Sequence, residues 1–279
     1  MPPTLLVLAA VTSVQFGAAL AKTLFDEVGP GGTVFLRVLL GAIVLALVWR
    51  PRVAGHDARD LRLAVAFGLV LAAMNLAFYA SLDRIPLGIA VTFEFVGPLG
   101  VAVFGSRRPR DLLWVGLAAA GILLLSGFGG TDLDALGVGL ALLAGACWAA
   151  YILLSARVGQ AFPGGAGLAL AMVVATVPLA PVGIADAGTE LLVPWVLAVG
   201  AGVGVLSSAI PYALELEALR SLPVGVFGVL MSLEPAVGAL AGLVVLGEEL
   251  ATREVAAIML VVAASAGAAY GATVAPRDA

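Results

Sequence analysis

Residues 82–105 read LDRIPLGIAVTFEFVGPLGVAVFG, and residues 219–242 read LRSLPVGVFGVLMSLEPAVGALAG. Aligned at an offset of 137, Pro86 falls on Pro223, Gly88 on Gly225 and Pro98 on Pro235. Each stretch begins with Pro–x–Gly and carries a second proline twelve residues on. Apolar runs of this length, without strict alternation, are helices. Lipid leaves a spanning backbone no other partner than itself, so helices or closed barrels are the only ways across. One such motif in each half makes the chain two copies of one unit.

The surroundings of the two stretches fit that reading. The chain has 279 residues, of which 62% are hydrophobic and 11% charged, and its mean hydropathy is +1.14. A soluble domain carries about 25% charge, so lipid is the solvent. Short polar or Gly/Pro punctuation divides the chain into spans at 4–25, 31–49, 61–82, 86–105, 112–128, 135–156, 166–185, 194–214, 222–246 and 254–274. The first apolar run is read as a span because it lacks the charged start and cleavage site of a signal peptide.

Charge alternates from loop to loop. Arg50, Arg52, Arg59 and Arg62 follow span 2, Arg107, Arg108 and Arg110 follow span 4, Arg157 follows span 6, Arg220 follows span 8, and Arg277 lies in the tail. The other loops hold Asp26, Glu27, Asp83, Arg84, Asp132, Asp134, Asp186, Glu190, Glu248 and Glu249. The Arg-rich side is expected in the cytoplasm, with both termini on it. The fold expected is an all-α integral membrane bundle of ten transmembrane helices. Five spans per copy is odd, so the second copy is inverted. Inverted repeats are typical of transporters, with the substrate site near the midplane between the halves.

Ionisable residues inside spans are costly and mark function by default. Glu94 lies roughly 12 Å from the outer end of span 4 at 1.5 Å per residue, and Glu234 roughly 18 Å into span 9. In the repeat alignment Glu94 falls on Met231, so the two acids are offset by one helical turn. Arg37 in span 2 and Lys22 in span 1 are expected at the outer depth of Glu94. Either can neutralise it; equally, Lys22 can be a snorkelling anchor and Arg37 a structural ion pair or cap. Polar and aromatic groups surround the acids: Gln15, Asn75, Tyr79, Trp148, Tyr151 and Tyr212. Asn75 and Tyr79 are four apart on one face of span 3, and Trp148 and Tyr151 three apart on span 6. Glu215 and Glu217 fall at the inner end of span 8, where interfacial charges are ordinary. Gly238 with Gly242, and Gly267 with Gly271, form GxxxG pairs suited either to packing within one chain or to a dimer face.

The single cysteine, Cys147, and single histidine, His56, exclude a Cys/His metal cluster and a disulfide framework. No P-loop, GxSxG or HExxH is present, so no catalytic residue, metal or cofactor is expected. Nucleic acid is not an expected partner.

The residues resemble the threonine/homoserine exporter family of the drug/metabolite transporter superfamily, which carries two EamA-type repeats. The resemblance runs through Gln15, Ala21-Lys22-Thr23-Leu24-Phe25, Leu36-Arg37, Asn75, Phe78-Tyr79, Pro86-Leu87-Gly88-Ile89-Ala90-Val91, Glu94-Phe95, Gly97-Pro98 and Ser106-Arg107-Arg108-Pro109. It continues through Gly145-Ala146-Cys147-Trp148-Ala149, Pro211-Tyr212-Ala213-Leu214-Glu215 and Leu230-Met231-Ser232-Leu233-Glu234-Pro235-Ala236. It implies EamA-type repeats at 1–130 and 131–279, in a bacterial inner (cytoplasmic) membrane protein that exports small amino acids by alternating access.

The site is expected between the halves, lined by spans 1, 3, 4, 6, 8 and 9. Glu94 or Glu234 would attract the substrate ammonium or carry a coupling proton. Gln15, Asn75 and Tyr79 would supply hydrogen bonds, and Trp148, Tyr151 and Tyr212 the cavity wall. Lys22, Arg37 and Glu215 would pair charge or take part in coupling. Pro86, Pro98, Pro223 and Pro235 would serve as bending points. The partners expected are a small amino acid, the lipid bilayer and protons, with the chain a monomer or homodimer. The rivals are a broad-specificity drug or metabolite exporter of the same fold, a membrane-embedded enzyme and a channel.

Overall fold

The computed structural model describes residues 2–104, 111–125, 133–219, 222, 227 and 230–273, and all their regular structure is helical. Pro223, Arg107, Arg108, Arg110, Arg220, Asp132 and Arg277 lie outside the described residues.

The first half runs α1 (Pro3–Lys22), α2 (Phe25–Trp49), α3 (Ala58–Leu82), α4 (Leu87–Glu94), α5 (Val96–Phe104) and α6 (Asp111–Leu125). The second runs α7 (Ala135–Ala161), α8 (Ala166–Ala187), α9 (Pro194–Gly204), α10 (Ile210–Leu219), α11 (Glu234–Ala241) and α12 (Thr252–Thr273). A π-helical turn at Val205–Ala209 joins α9 to α10, and another at Gly242–Leu246 follows α11. Among the described residues six helical stretches are long and apolar enough to cross a membrane: Pro3–Lys22, Phe25–Trp49, Ala58–Leu82, Ala135–Ala161, Ala166–Leu192 and Pro194–Glu215. Leu87–Val101 and Glu234–Leu246 are shorter apolar helices.

Local chemistry sets the helix ends. The Asp57 carboxylate accepts from the Asp60 N–H at 2.8 Å to start α3, and Asp134 accepts from the Gly137 N–H at 2.6 Å to start α7. Gly29 (φ 65°) turns the chain inside α2 just before Pro30. The Gly31 N–H beyond this kink donates to Asp186 Oδ2 at 2.9 Å, tying α2 to the end of α8. α7 continues to Ala161, so Arg157 sits on the helix and not in the loop expected to follow span 6.

Span 4 is not one straight helix. It breaks at Phe95, between α4 and α5. Pro98 has no N–H to give the Glu94 carbonyl four residues back, and its ring crowds that oxygen. Pro235 stands in the same relation to Met231, and the helix is interrupted there at Ser232–Leu233. Glu94 is the last residue before the first break, and Glu234 the first residue after the second. The one-turn offset between the acids thus places them on opposite sides of like interruptions.

The helices pack as α2 with α8, α3 with α7, α1 with α10, α4 with α11, and α6 with α12. Small residues bring the backbones close. A Cβ on Gly97 would run into the Gly145 carbonyl oxygen of α7. The core is alanine-rich, with Phe67, Phe93 and Tyr79 among the largest fully buried side chains. The outward faces carry exposed Leu47, Val177 and Val244, as a lipid-facing surface requires. Gly267 packs on the Trp114 ring of α6, so this GxxxG residue serves packing within the chain.

Candidate functional site

A cavity of about 860 Å³ lies among α1, α2, α3, α4, α5, α7, α10 and α11. Gln15, Asn75, Glu94, Trp148, Tyr151, Tyr212 and Glu234 line it, as do Arg37, Glu215 and Pro98. It extends to Trp49, Gly159, Gly164 and Gly165, toward the Arg-rich end of the bundle.

Each polar lining group is placed by its helix. Glu94 hangs from the C-terminal end of α4, and Glu234 from the N-terminal end of α11, where the helix dipole favours negative charge. The Gln15 amide of α1 donates to Glu234 Oε2 at 3.4 Å, crossing from the first half to the second. Asn75 donates to the Leu71 carbonyl of its own helix at 2.8 Å. Gln15, Asn75, Arg37, Glu94 and Glu234 are all buried. Trp148 meets Phe95 edge-on at 5.5 Å, and Tyr151 meets Phe67 at 5.1 Å, and all four rings line the cavity.

The π-helical turn at Val205–Ala209 supplies a feature that the sequence reading missed. Its wider winding turns carbonyls away from the helical ladder. The Leu206 carbonyl accepts from the Ser13 hydroxyl at 2.7 Å, and the Ser207 carbonyl from Arg37 Nη2 at 3.1 Å. Helices α1 and α2 are thereby tied to the second half at cavity depth. Ser207, Ser232, Ser155, Trp49 and Phe227 line the cavity and were not expected there. A serine in an apolar helix gives no local sign of this role; Trp49, at a helix end beside arginine, reads as an interfacial residue.

Two expected residues lie elsewhere. Lys22 does not reach Glu94. Its ammonium pairs with Glu248 Oε1 at 2.7 Å and donates to the Ile85 carbonyl at 3.4 Å. Helical depth fixed its height but not its azimuth. Tyr79 does not line the cavity. It is fully buried against Phe25 at 6.0 Å, and its ring lies under the Arg37 guanidinium at 5.4 Å. Glu215, expected at the inner end of span 8 as an interfacial charge or a coupling group, lines the cavity, and α10 continues past it to Leu219. Pro86 is the N-cap residue of α4 and is not among the cavity-lining residues.

At the end opposite the Arg-rich one, a latch joins the halves. Glu248 holds Lys22 and also accepts from the Leu87 N–H at 2.8 Å, capping α4. Glu248→Ala removes both interactions, and Lys22→Met removes the ion pair together with the longer, 3.4 Å bond to the Ile85 carbonyl. The expected losses are about 2 and about 1 kcal/mol, read from thermal unfolding in detergent. The reverse order would contradict this geometry. No group of three or more His, Cys, Asp or Glu among the described residues could hold a metal ion.

The chain is similar to threonine/homoserine exporter RhtA of Salmonella typhimurium, at 45% identity over 95% of this chain and 90% of the relative. The chain belongs to the threonine/homoserine exporter family. The exporter of the same name from Escherichia coli K12 is 44% identical over 95% of this chain and 90% of the relative. Residues 135–270 match the EamA-like transporter family. An uncharacterized transporter, YwfM of Bacillus subtilis, is 25% identical over 77% of this chain and 76% of the relative. One crystal structure aligns over 96% of both chains with a TM-score of 0.62 at 22% identity, a likeness of fold alone. This member of the exporter family is a membrane transporter rather than an enzyme.

Proposed function

We propose that the chain exports small amino acids, threonine and homoserine first, from the cytoplasm across a bacterial inner membrane, by alternating access around the central cavity. The observation that carries this reading is the cavity's charge layout. Buried carboxyl groups and one guanidinium line a single apolar space in a chain 45% identical to an exporter of those amino acids. Glu94 and Glu234 would receive the substrate ammonium, and one of them would carry a coupling proton. Gln15 and Asn75 add hydrogen bonds, and Trp148, Tyr151 and Tyr212 exclude water from the aliphatic part.

Ten spans in two inverted EamA-type repeats, 1–130 and 131–279, are the architecture we propose. The helix pairing supports it. Exchanging the halves returns α2 with α8 and α6 with α12 to themselves. It also turns the α3–α7 pair into the contact between α9–α10 and α1. The breaks at Phe95 and Ser232 coincide under the offset of 137. Pro98 and Pro235 would then be equivalent bending points, with Pro86 and Pro223 at the starts of the same two spans. With the Arg-rich end and both termini in the cytoplasm, a cavity reaching Trp49 and Gly164 faces inward. The Lys22–Glu248 latch closes the outer side.

A broad-specificity exporter is the second reading, favoured by cavity size. A volume of about 860 Å³ lies within the range of about 300–1,000 Å³ that holds drug-sized ligands. Liposomes containing the purified protein, loaded with threonine, homoserine, leucine, glutamate or a cationic dye, separate the two. Rapid efflux of threonine and homoserine, accelerated by a pH gradient, is expected. Dye efflux without amino-acid efflux would replace the first reading with the second.

A further inference from the structure

Arg37 brings a positive charge into the bundle with no carboxylate within ion-pair distance among the described residues. Its side chain is 8% exposed. Nη2 donates to the Ser207 carbonyl at 3.1 Å, and the guanidinium carbon lies 5.4 Å from the centre of the Tyr79 ring. These contacts fix where the guanidinium sits. Nε is buried and has no partner. Neither the Lys22–Glu248 pair nor the Arg84–Asp134 pair involves Arg37. Burying an unpaired charge costs several kcal/mol even after relaxation, and such groups mark substrate pathways.

The surroundings identify the ligand that completes it. Arg37 is the only Lys or Arg among the described lining residues, while Glu94, Glu215 and Glu234 line the same space. An anion alone would meet those three carboxyl groups, and a cation alone would meet the guanidinium. A zwitterion presents a suitable charge to each. The planar fork of a guanidinium matches a carboxylate with two parallel hydrogen bonds, which a lysine ammonium cannot reproduce. Resting on the amino-acid reading above, we propose that Arg37 receives the α-carboxylate of the transported amino acid and sets the discrimination against amines and amides that lack it.

The test is calorimetric binding of threonine and of threonine amide to the purified full chain in detergent. The wild type should favour threonine by about 10- to 100-fold, the value of a hydrogen bond to a charged group. Arg37→Gln should bring the two affinities within about threefold of each other while the amide still binds. Arg37→Lys, which keeps the charge but not the fork, should fall between.

A role confined to clamping the Val205–Ala209 turn would weaken both ligands equally and leave their ratio unchanged, overturning the proposal. So would a wild type that binds both alike, an outcome that spares the amino-acid reading. A wild type that binds neither overturns both. If Arg37→Gln does not fold, the ratio in Arg37→Lys decides: reduced supports the proposal, unchanged overturns it.

Discussion

Glu94→Gln combined with Glu234→Gln is expected to reduce threonine efflux from loaded vesicles by at least about 100-fold while the protein remains folded. Both acids are buried and line the cavity on either side of helix interruptions. Each replacement keeps the side chain's volume and removes its charge, so packing is preserved. Glu234 also accepts from Gln15 at 3.4 Å, an interaction that a glutamine can keep. Among the described residues no protein hydrogen bond to the Glu94 carboxylate is present, so its replacement leaves no polar partner stranded. The single variants should split the effect: the one that removes the proton-carrying acid abolishes acceleration by a pH gradient yet retains exchange. Unchanged efflux in the double variant would remove both acids from the transport step.

Gly97→Ala is expected to destabilise the folded chain by about 3 kcal/mol, near the upper end for overpacking. The added methyl meets the Gly145 carbonyl oxygen, which is backbone and cannot rotate away. Relief requires α5 to separate from α7 beside the Phe95 break, where Glu94 and Trp148 are positioned. Gly100, one turn along α5, has nothing within 4 Å of an added Cβ. Gly100→Ala should therefore stay within about 0.5 kcal/mol of wild type. Thermal unfolding followed by tryptophan fluorescence compares the two. Equal effects would show that the α5–α7 approach is not tight.

Much of this arrangement is legible in the chain. Pro98 and Pro235 act through a rule of local sterics, and the helix is interrupted three residues before each. Glu94, Glu234, Gln15 and Asn75 stand out because polar groups in apolar runs are costly, and all four line one cavity. The misplacements have a common cause. Position along a helix gives depth, whereas azimuth depends on neighbours far along the chain. Lys22 has a suitable depth but turns to Glu248, which is 226 residues away. Tyr79 shares a helical face with Asn75, but one turn farther on the bundle has closed around it, under Arg37. Glu215 falls just past a span read as ending at residue 214, whereas the helix runs to Leu219 and carries it along the cavity. The π-helical turn has no local signature in VLSSA; its stabilising partners, Ser13 and Arg37, come from two other helices.

A transported amino acid held in this cavity would shield its wall from reagents. Ser155 lines it, with its hydroxyl donating to the Ile152 carbonyl at 2.9 Å. A cysteine placed there by Ser155→Cys, with the native thiol removed by Cys147→Ala, can be alkylated by a maleimide reagent. Saturating threonine should slow that alkylation at least about tenfold, while alanine amide should leave it unchanged. Alkylation that proceeds at the same rate with and without threonine, in a protein that still transports threonine, would place the substrate elsewhere.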